Sequence, residues 1–134
     1  MSSFISFRTL PYKVMVVEDE VLTRTSLSQI LDSYFSEVHY ADDGHIGLEM
    51  YYRVKPDIIL TDVVMPTMNG IEMLRQIRMH DDHNPLIIIF SAFDTTLSEK
   101  DMEQIGVFSR MEKPFNLKAL EKLVDDIKEY KLRA

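Results

Sequence analysis

The chain has 134 residues, with 15 Lys+Arg against 22 Asp+Glu, a formal net charge of −7 and no Cys. That length suits one domain of ~100–150 residues, and the acidic balance argues against this chain gripping nucleic-acid phosphates by itself. Zero Cys excludes a disulfide framework, a thiolate metal site and a Cys nucleophile, and fits a reducing, cytoplasmic setting.

Residues 1–11 are expected to form an N-terminal arm, with Phe4, Ile5, Phe7 and Leu10 as its apolar positions, and residues 12–134 a single domain. The arm has no early basic cluster and no long apolar core, so a signal peptide is not expected. Short β-branched runs predict strands at 13–17, 37–41, 57–61, 86–90 and 108–111. The run Leu86-Ile87-Ile88-Ile89-Phe90 is the longest apolar stretch and is far below the ~20 residues of a membrane span, so no membrane partner is expected.

Between the strands, Leu27, Ile30, Leu31 and Tyr34 recur at the spacing of one helix face. Further helices fit 45–54, 70–79 and, with the weakest apolar stripe, 95–104. The last helix is capped by Asn116 and lined by Leu117, Leu120, Val124 and Ile127. Gly47 inside the second helix costs about 1 kcal/mol against Ala and has no functional reading in the sequence. Five β/α pairs of this kind predict an α/β fold: a doubly wound, five-stranded parallel sheet with helices on both faces.

In such sheets, ligand sites form beyond the carboxyl ends of the strands, where strand order reverses. Strand one ends in Val17-Glu18-Asp19-Glu20 and strand three in Thr61-Asp62. If strands one and three are neighbours, as in the order 2-1-3-4-5, Glu18, Asp19 and Asp62 converge. Crowded carboxylates repel, and a hard cation, Mg²⁺ above all, resolves the repulsion. Glu20 is read as a cap of the following helix, where the macrodipole favours acids. Strand four places the Ser91 hydroxyl at the same rim, and strand five the Lys113 ammonium. An acceptor carboxylate, a cation site, a hydroxyl donor and a counter-charge suit phosphoryl transfer onto an Asp.

Those residues, with 14–20, 56–70, Ser91-Ala92 and Glu112-Lys113-Pro114-Phe115 in order and at compatible spacing, make the chain resemble the receiver domains of bacterial two-component response regulators. The likeness covers about residues 12–132. It implies a flavodoxin-like fold, with Asp62 the phosphorylated residue and Mg²⁺ held by Asp19, Asp62 and the Val64 carbonyl directly and by Glu18 through water. It also implies that Ser91 and Lys113 engage the phosphoryl group. The implied donor is a phosphohistidine on a sensor histidine kinase or phosphotransfer protein. The implied output is control of an effector protein or domain, with phosphorylation-driven homodimerisation a further outcome the resemblance allows.

Two departures stand out. Arg110 occupies the place, three residues before Lys113, where many receivers have an aromatic switch residue; Phe108 lies nearby at the wrong offset. Val64 and Phe93, two residues beyond Asp62 and Ser91, are apolar where polar groups could orient a hydrolytic water, which predicts slow self-dephosphorylation. Two competing readings are a Mg²⁺-dependent phosphatase or phosphotransferase using an aspartyl phosphate, and a receiver-like scaffold that is never phosphorylated. Val64, standing where such enzymes carry a second Asp, speaks against the first; the intact Glu18, Asp19, Asp62, Ser91 and Lys113 set speaks against the second. His39, His45, His80 and His83 read as surface residues, and residues 80–84 as a polar loop.

Overall fold

A computed structural model describes residues 9–92, 97–114 and 116–133. The sheet is built from β1 (Leu10–Val17), β2 (Phe35–Ala41), β3 (Ile58–Asp62), β4 (Leu86–Ala92) and β5 (Val107–Lys113). The helices are α1 (Val21–Tyr34), α2 (Gly44–Val54), α3 (Gly70–His80), α4 (Glu99–Ile105) and α5 (Leu117–Arg133). All five strands are parallel in the order β2-β1-β3-β4-β5, the order expected. The expected arm residues before Thr9, the start of the fourth predicted helix at Thr95, and Phe93 lie outside the described residues.

The sheet divides the core into two layers because side chains of successive strand residues point to opposite faces. One layer packs Met15, Val17, Ile59, Ile87 and Ile89 against α2 and α3. The other packs Val14, Val16, Ile58, Leu60, Ile88 and Phe90 against α1 and α5. Every residue of β3 is buried, as befits a central strand covered on both faces.

Caps delimit the helices where the sequence offers them. The side chains of Asp43, Asn69, Ser98 and Asn116 accept from the backbone N–H groups of Ile46, Glu72, Asp101 and Ala119. The inner stripe of α5 differs from expectation: Leu117 is exposed, and Leu120, Leu123, Val124 and Ile127 are buried. The first residue after a cap still lies above the layer, so the apolar face begins one turn later.

Gly47 now has a reason. A Cβ there would lie 2.8 Å from Met73 Sδ and 3.0 Å from Val17 Cγ2. Both neighbours are completely buried, so a side chain at position 47 would force Met73 or Val17 to shift within the core.

Candidate functional site

Register places the site. β1 and β3 pair through Val17 and Thr61, so the residues that follow, Glu18 and Asp62, emerge side by side. One ligand oxygen from each of Glu18, Asp19 and Asp62 lies within 4.8 Å of the others, the only such acidic or His group among the described residues. β4 pairs with β5 through Ser91–Glu112 and Ala92–Lys113, which brings the hydroxyl and the ammonium to the same rim. Asp19, Glu20, Asp62, Val64, Ala92 and Lys113 line a cleft of about 310 Å³.

The backbone of the β3–α3 loop holds Asp62 firmly. Asp62 Oδ1 accepts from the Val63 amide at 2.7 Å and the Val64 amide at 3.3 Å. Its main-chain carbonyl accepts from Thr61 Oγ1 at 2.9 Å. Gly70 donates to the Val63 carbonyl, and a Cβ on Gly70 would meet the Asp62 carbonyl oxygen at 2.0 Å. Only glycine permits α3 to start this close to the end of β3.

Lys113 Nζ is the shared counter-charge. It lies 2.6 Å from Asp62 Oδ2, 2.7 Å from Glu18 Oε1 and 3.6 Å from Glu20 Oε1. Burial alone would lower the Lys113 pKa, but the hydrogen bonds and charges of Asp62 and Glu18 raise it. Glu18 is fully buried. Burial pushes its carboxyl up to about 7, against the lowering effect of the Glu20 amide and Lys113, and the Asp62 charge adds to the rise. Among the described residues, the acidic pocket is thus undercompensated by the Lys113 ammonium.

Across the rim, Ser91 is also fully buried, and its Oγ has no hydrogen-bond partner among the described residues. An unsatisfied buried hydroxyl costs about 1–3 kcal/mol.

Other expectations fare differently. Val64 is 66% exposed and lines the cleft with Asp62. Arg110 is exposed on β5. Phe108 packs edge-on against Tyr130 of α5, ring centroids 5.1 Å apart, and this turns it away from the role of a substitute switch aromatic. Glu20 corrects its expectation: it occupies the N-cap position of α1, yet its side chain makes no capping hydrogen bond to the helix backbone. Its Oε1 instead accepts from Thr23 Oγ1 at 2.9 Å and faces Lys113. His83 is part-buried, not a plain surface residue, with its Nε2 2.7 Å from the Pro56 carbonyl oxygen.

Sequence reasoning missed Arg24, whose Nη1 donates to the Glu18 carbonyl at 2.8 Å and fixes the acidic turn. The available signal was spacing: Glu20, Thr23 and Arg24 share the first turn of one helix.

The strand order and the acidic rim at its reversal point define a flavodoxin-like α/β domain with its site at the switch point. The family model described as the response regulator receiver domain matches residues 14–125, and the chain belongs to that family of two-component signalling domains. It is 36% identical over 115 residues to the chemotaxis protein CheY of Listeria monocytogenes, covering 82% of this chain and 96% of that one. It is 30% identical over 112 residues to the regulatory protein AtoC of Escherichia coli, covering 84% of this chain and 24% of AtoC. The chain therefore spans about a quarter of the length of that regulator. Among solved structures, the CheX-CheY-BeF3-Mg²⁺ complex of Borrelia burgdorferi is similar, with a TM-score of 0.75, 30% identity, and coverage of 88% of this chain and 90% of that one.

Proposed function

We propose that this chain is a phosphoacceptor switch, taking a phosphoryl group onto Asp62 from a phosphohistidine of a sensor kinase or phosphotransfer protein and thereby controlling an effector protein or output domain. The observation that carries this reading is the convergence of Glu18, Asp19 and Asp62 within 4.8 Å, with Lys113 Nζ 2.6 Å from Asp62 Oδ2.

The donor set fits Mg²⁺: hard carboxylate oxygens, few in number, beside an open cleft. Asp19, Asp62 and the Val64 carbonyl would hold the ion directly and Glu18 through water. When bound, Mg²⁺ supplies charge neutralisation on phosphoryl oxygens. The chain's own residues supply the rest. An Asp62 carboxylate oxygen attacks phosphorus in line with the P–N bond. That bond breaks, its electron pair stays on the imidazole nitrogen, and the nitrogen takes up a proton from solvent. Lys113, already beside Asp62 Oδ2, pairs with a transferred oxygen. The Ser91 hydroxyl donates to another, which satisfies its buried Oγ. Because β4 and β5 pair through Ala92–Lys113 and Ile89–Arg110, the change at Ser91 and Lys113 reaches the outward side of β5, where Arg110 stands. That face suits an output partner or a second copy in a phosphorylation-driven dimer.

Incubation with Mg²⁺ and acetyl phosphate, followed by intact-mass measurement, tests this. One added phosphoryl group is expected in the wild type and none in Asp62→Asn. Retention of the group in Asp62→Asn would overturn the site, and no addition to the wild type would favour an unphosphorylated scaffold.

A further inference from the structure

Glu20 lies outside the group of three carboxylates that gathers within 4.8 Å, yet it lines the same cleft. Its position is fixed at both ends. Its amide donates to Glu18 Oε2 at 3.0 Å, and its Oε1 accepts from Thr23 Oγ1 at 2.9 Å. Among the described residues, the ammonium it pairs with, Lys113 Nζ at 3.6 Å, sits nearer to Asp62 and to Glu18. Arg24, on the same helical turn, directs Nη1 to the Glu18 main-chain carbonyl. Glu20 thus presents a weakly compensated negative charge, 62% exposed as a side chain, at the mouth of the cleft and one ammonium away from Asp62 Oδ2.

We propose that Glu20 is a donor-specificity residue: its carboxylate discriminates among phosphoryl donors by their charge, disfavouring free, highly anionic small donors. This rests on the reading of Asp62 as phosphoacceptor. A fixed charge at the entrance acts on every approaching anion in proportion to that anion's charge. A donor carried by a protein surface brings its own counter-charges and is not filtered in this way. Glu20 is a positioning and field residue; it forms no bond in the transfer.

The test compares two small donors of different charge, acetyl phosphate and phosphoramidate, the former about one unit more negative near pH 7.5. With acetyl phosphate the P–O bond to acetate breaks and acetate keeps the electron pair. With phosphoramidate the P–N bond breaks and ammonia leaves. Rates are read by intact mass at saturating Mg²⁺, and the ratio of the two rates cancels any change in metal affinity.

At low ionic strength Glu20→Gln is expected to raise the acetyl phosphate to phosphoramidate rate ratio about 3-fold, the scale of one screened unit charge at the protein surface. In about 1 M salt, where the screening length falls to roughly 3 Å, the ratio should return to the wild-type value. Glu20→Asp, which keeps the charge, should keep the wild-type ratio. A ratio unmoved in Glu20→Gln, or moved equally at low and high salt, overturns the proposal. If neither donor labels the wild type, the phosphoacceptor reading falls and takes this inference with it. If both label Asp62 and the ratio does not move, only the role of Glu20 falls.

Discussion

Glu18→Gln should stabilise the metal-free protein at pH 8 and leave it nearly unchanged at pH 5. Glu18 is fully buried beside Asp62, and its carboxyl is raised from 4.5 to about 7, chiefly by burial. Between those two values the folded chain binds a proton that the unfolded chain has released. This group's contribution to stability is therefore complete below about pH 4.5 and is lost as pH rises through 7. Lys113 is raised as well, but its contribution is present throughout the range below its ordinary 10.5 and adds no slope between pH 5 and 8. At about 1.4 kcal/mol per pH unit, ionising Glu18 costs roughly 3 kcal/mol, and about 1–3 kcal/mol once some relaxation of the exposed rim is allowed. Gln keeps the shape of the protonated acid and avoids that cost. The assay is urea unfolding followed by far-UV circular dichroism in EDTA, since the chain has no Trp. Subtracting wild type from variant removes the titration of every other carboxylate. A variant no more stable than wild type at pH 8, or one whose advantage does not grow from pH 5 to pH 8, would refute the reasoning. Added Mg²⁺ should stabilise the wild type more than the variant, because the ion offsets the charge that Gln no longer carries.

Gly47→Ala should lower stability by about 1 kcal/mol: the helix-propensity gain of about 1 kcal/mol is outweighed by an overpacking cost of about 1–3 kcal/mol, with Met73 Sδ only 2.8 Å from the new Cβ. Thermal unfolding of the Gly47→Ala, Met73→Ala and double variants would check it, the double being less destabilised than the sum of the singles. Lys113→Ala should slow labelling by acetyl phosphate at saturating Mg²⁺ by about 10-fold or more, the scale of a lost charge-assisted hydrogen bond; an unchanged rate would remove Lys113 from the transfer. The phosphorylated wild type should decay slowly, and Val64→Asn with Phe93→Glu should speed the decay several-fold, a time course readable by intact mass. An unaltered decay would show that apolar shielding at these positions does not limit water.

The central strands were legible because strands buried on both faces need continuous apolar, β-branched residues, which β3, β4 and the second half of β1 carry. The edge strands β2 and β5 are only partly buried and mix in polar residues. The order of the sheet could be stated only conditionally, since no single strand encodes its neighbour. Pairing of Val17 with Thr61 is what brings Glu18 to Asp62, and that contact bridges more than forty residues of chain. Strand ends were harder. β4 runs on to Ala92 and β5 to Lys113, because ladder hydrogen bonds continue past the last apolar side chain into the polar rim. Helix phase failed at Leu117 for the related reason that periodicity names a stripe but not the turn at which the stripe meets the layer below. Glu20 does stand at the N-cap of α1 but makes no capping hydrogen bond there. The macrodipole argument is local. It weighed the helix to which Glu20 belongs and not the Lys113 ammonium arriving from the far end of the chain. Gly47 had no reading in one dimension, since its cause is a sulfur on α3 and a methyl group on β1.

The two sides of the cleft are out of balance in opposite senses, and this bears on how the site would switch. On the β1–β3 side, Glu18, Asp62 and the flanking Glu20 share the Lys113 ammonium with Asp19 close by, and burial pushes the Glu18 carboxyl up to about 7. On the β4 side, a buried hydroxyl has no acceptor among the described residues. A cation alone would relieve the first side and leave Ser91 unsatisfied. A phosphoryl group alone would satisfy Ser91 and deepen the excess of negative charge. Only the two together settle both sides, so on the proposed function the ion and the modification should each favour the other, and by reciprocity of linkage Mg²⁺ should bind the phosphorylated chain more tightly than the unmodified one. Lys113 links the two sides. It belongs to β5, is paired with Ala92 of β4, and touches Asp62 of β3. On the proposed function, a change in its partner at the rim would act on the strand that carries Arg110.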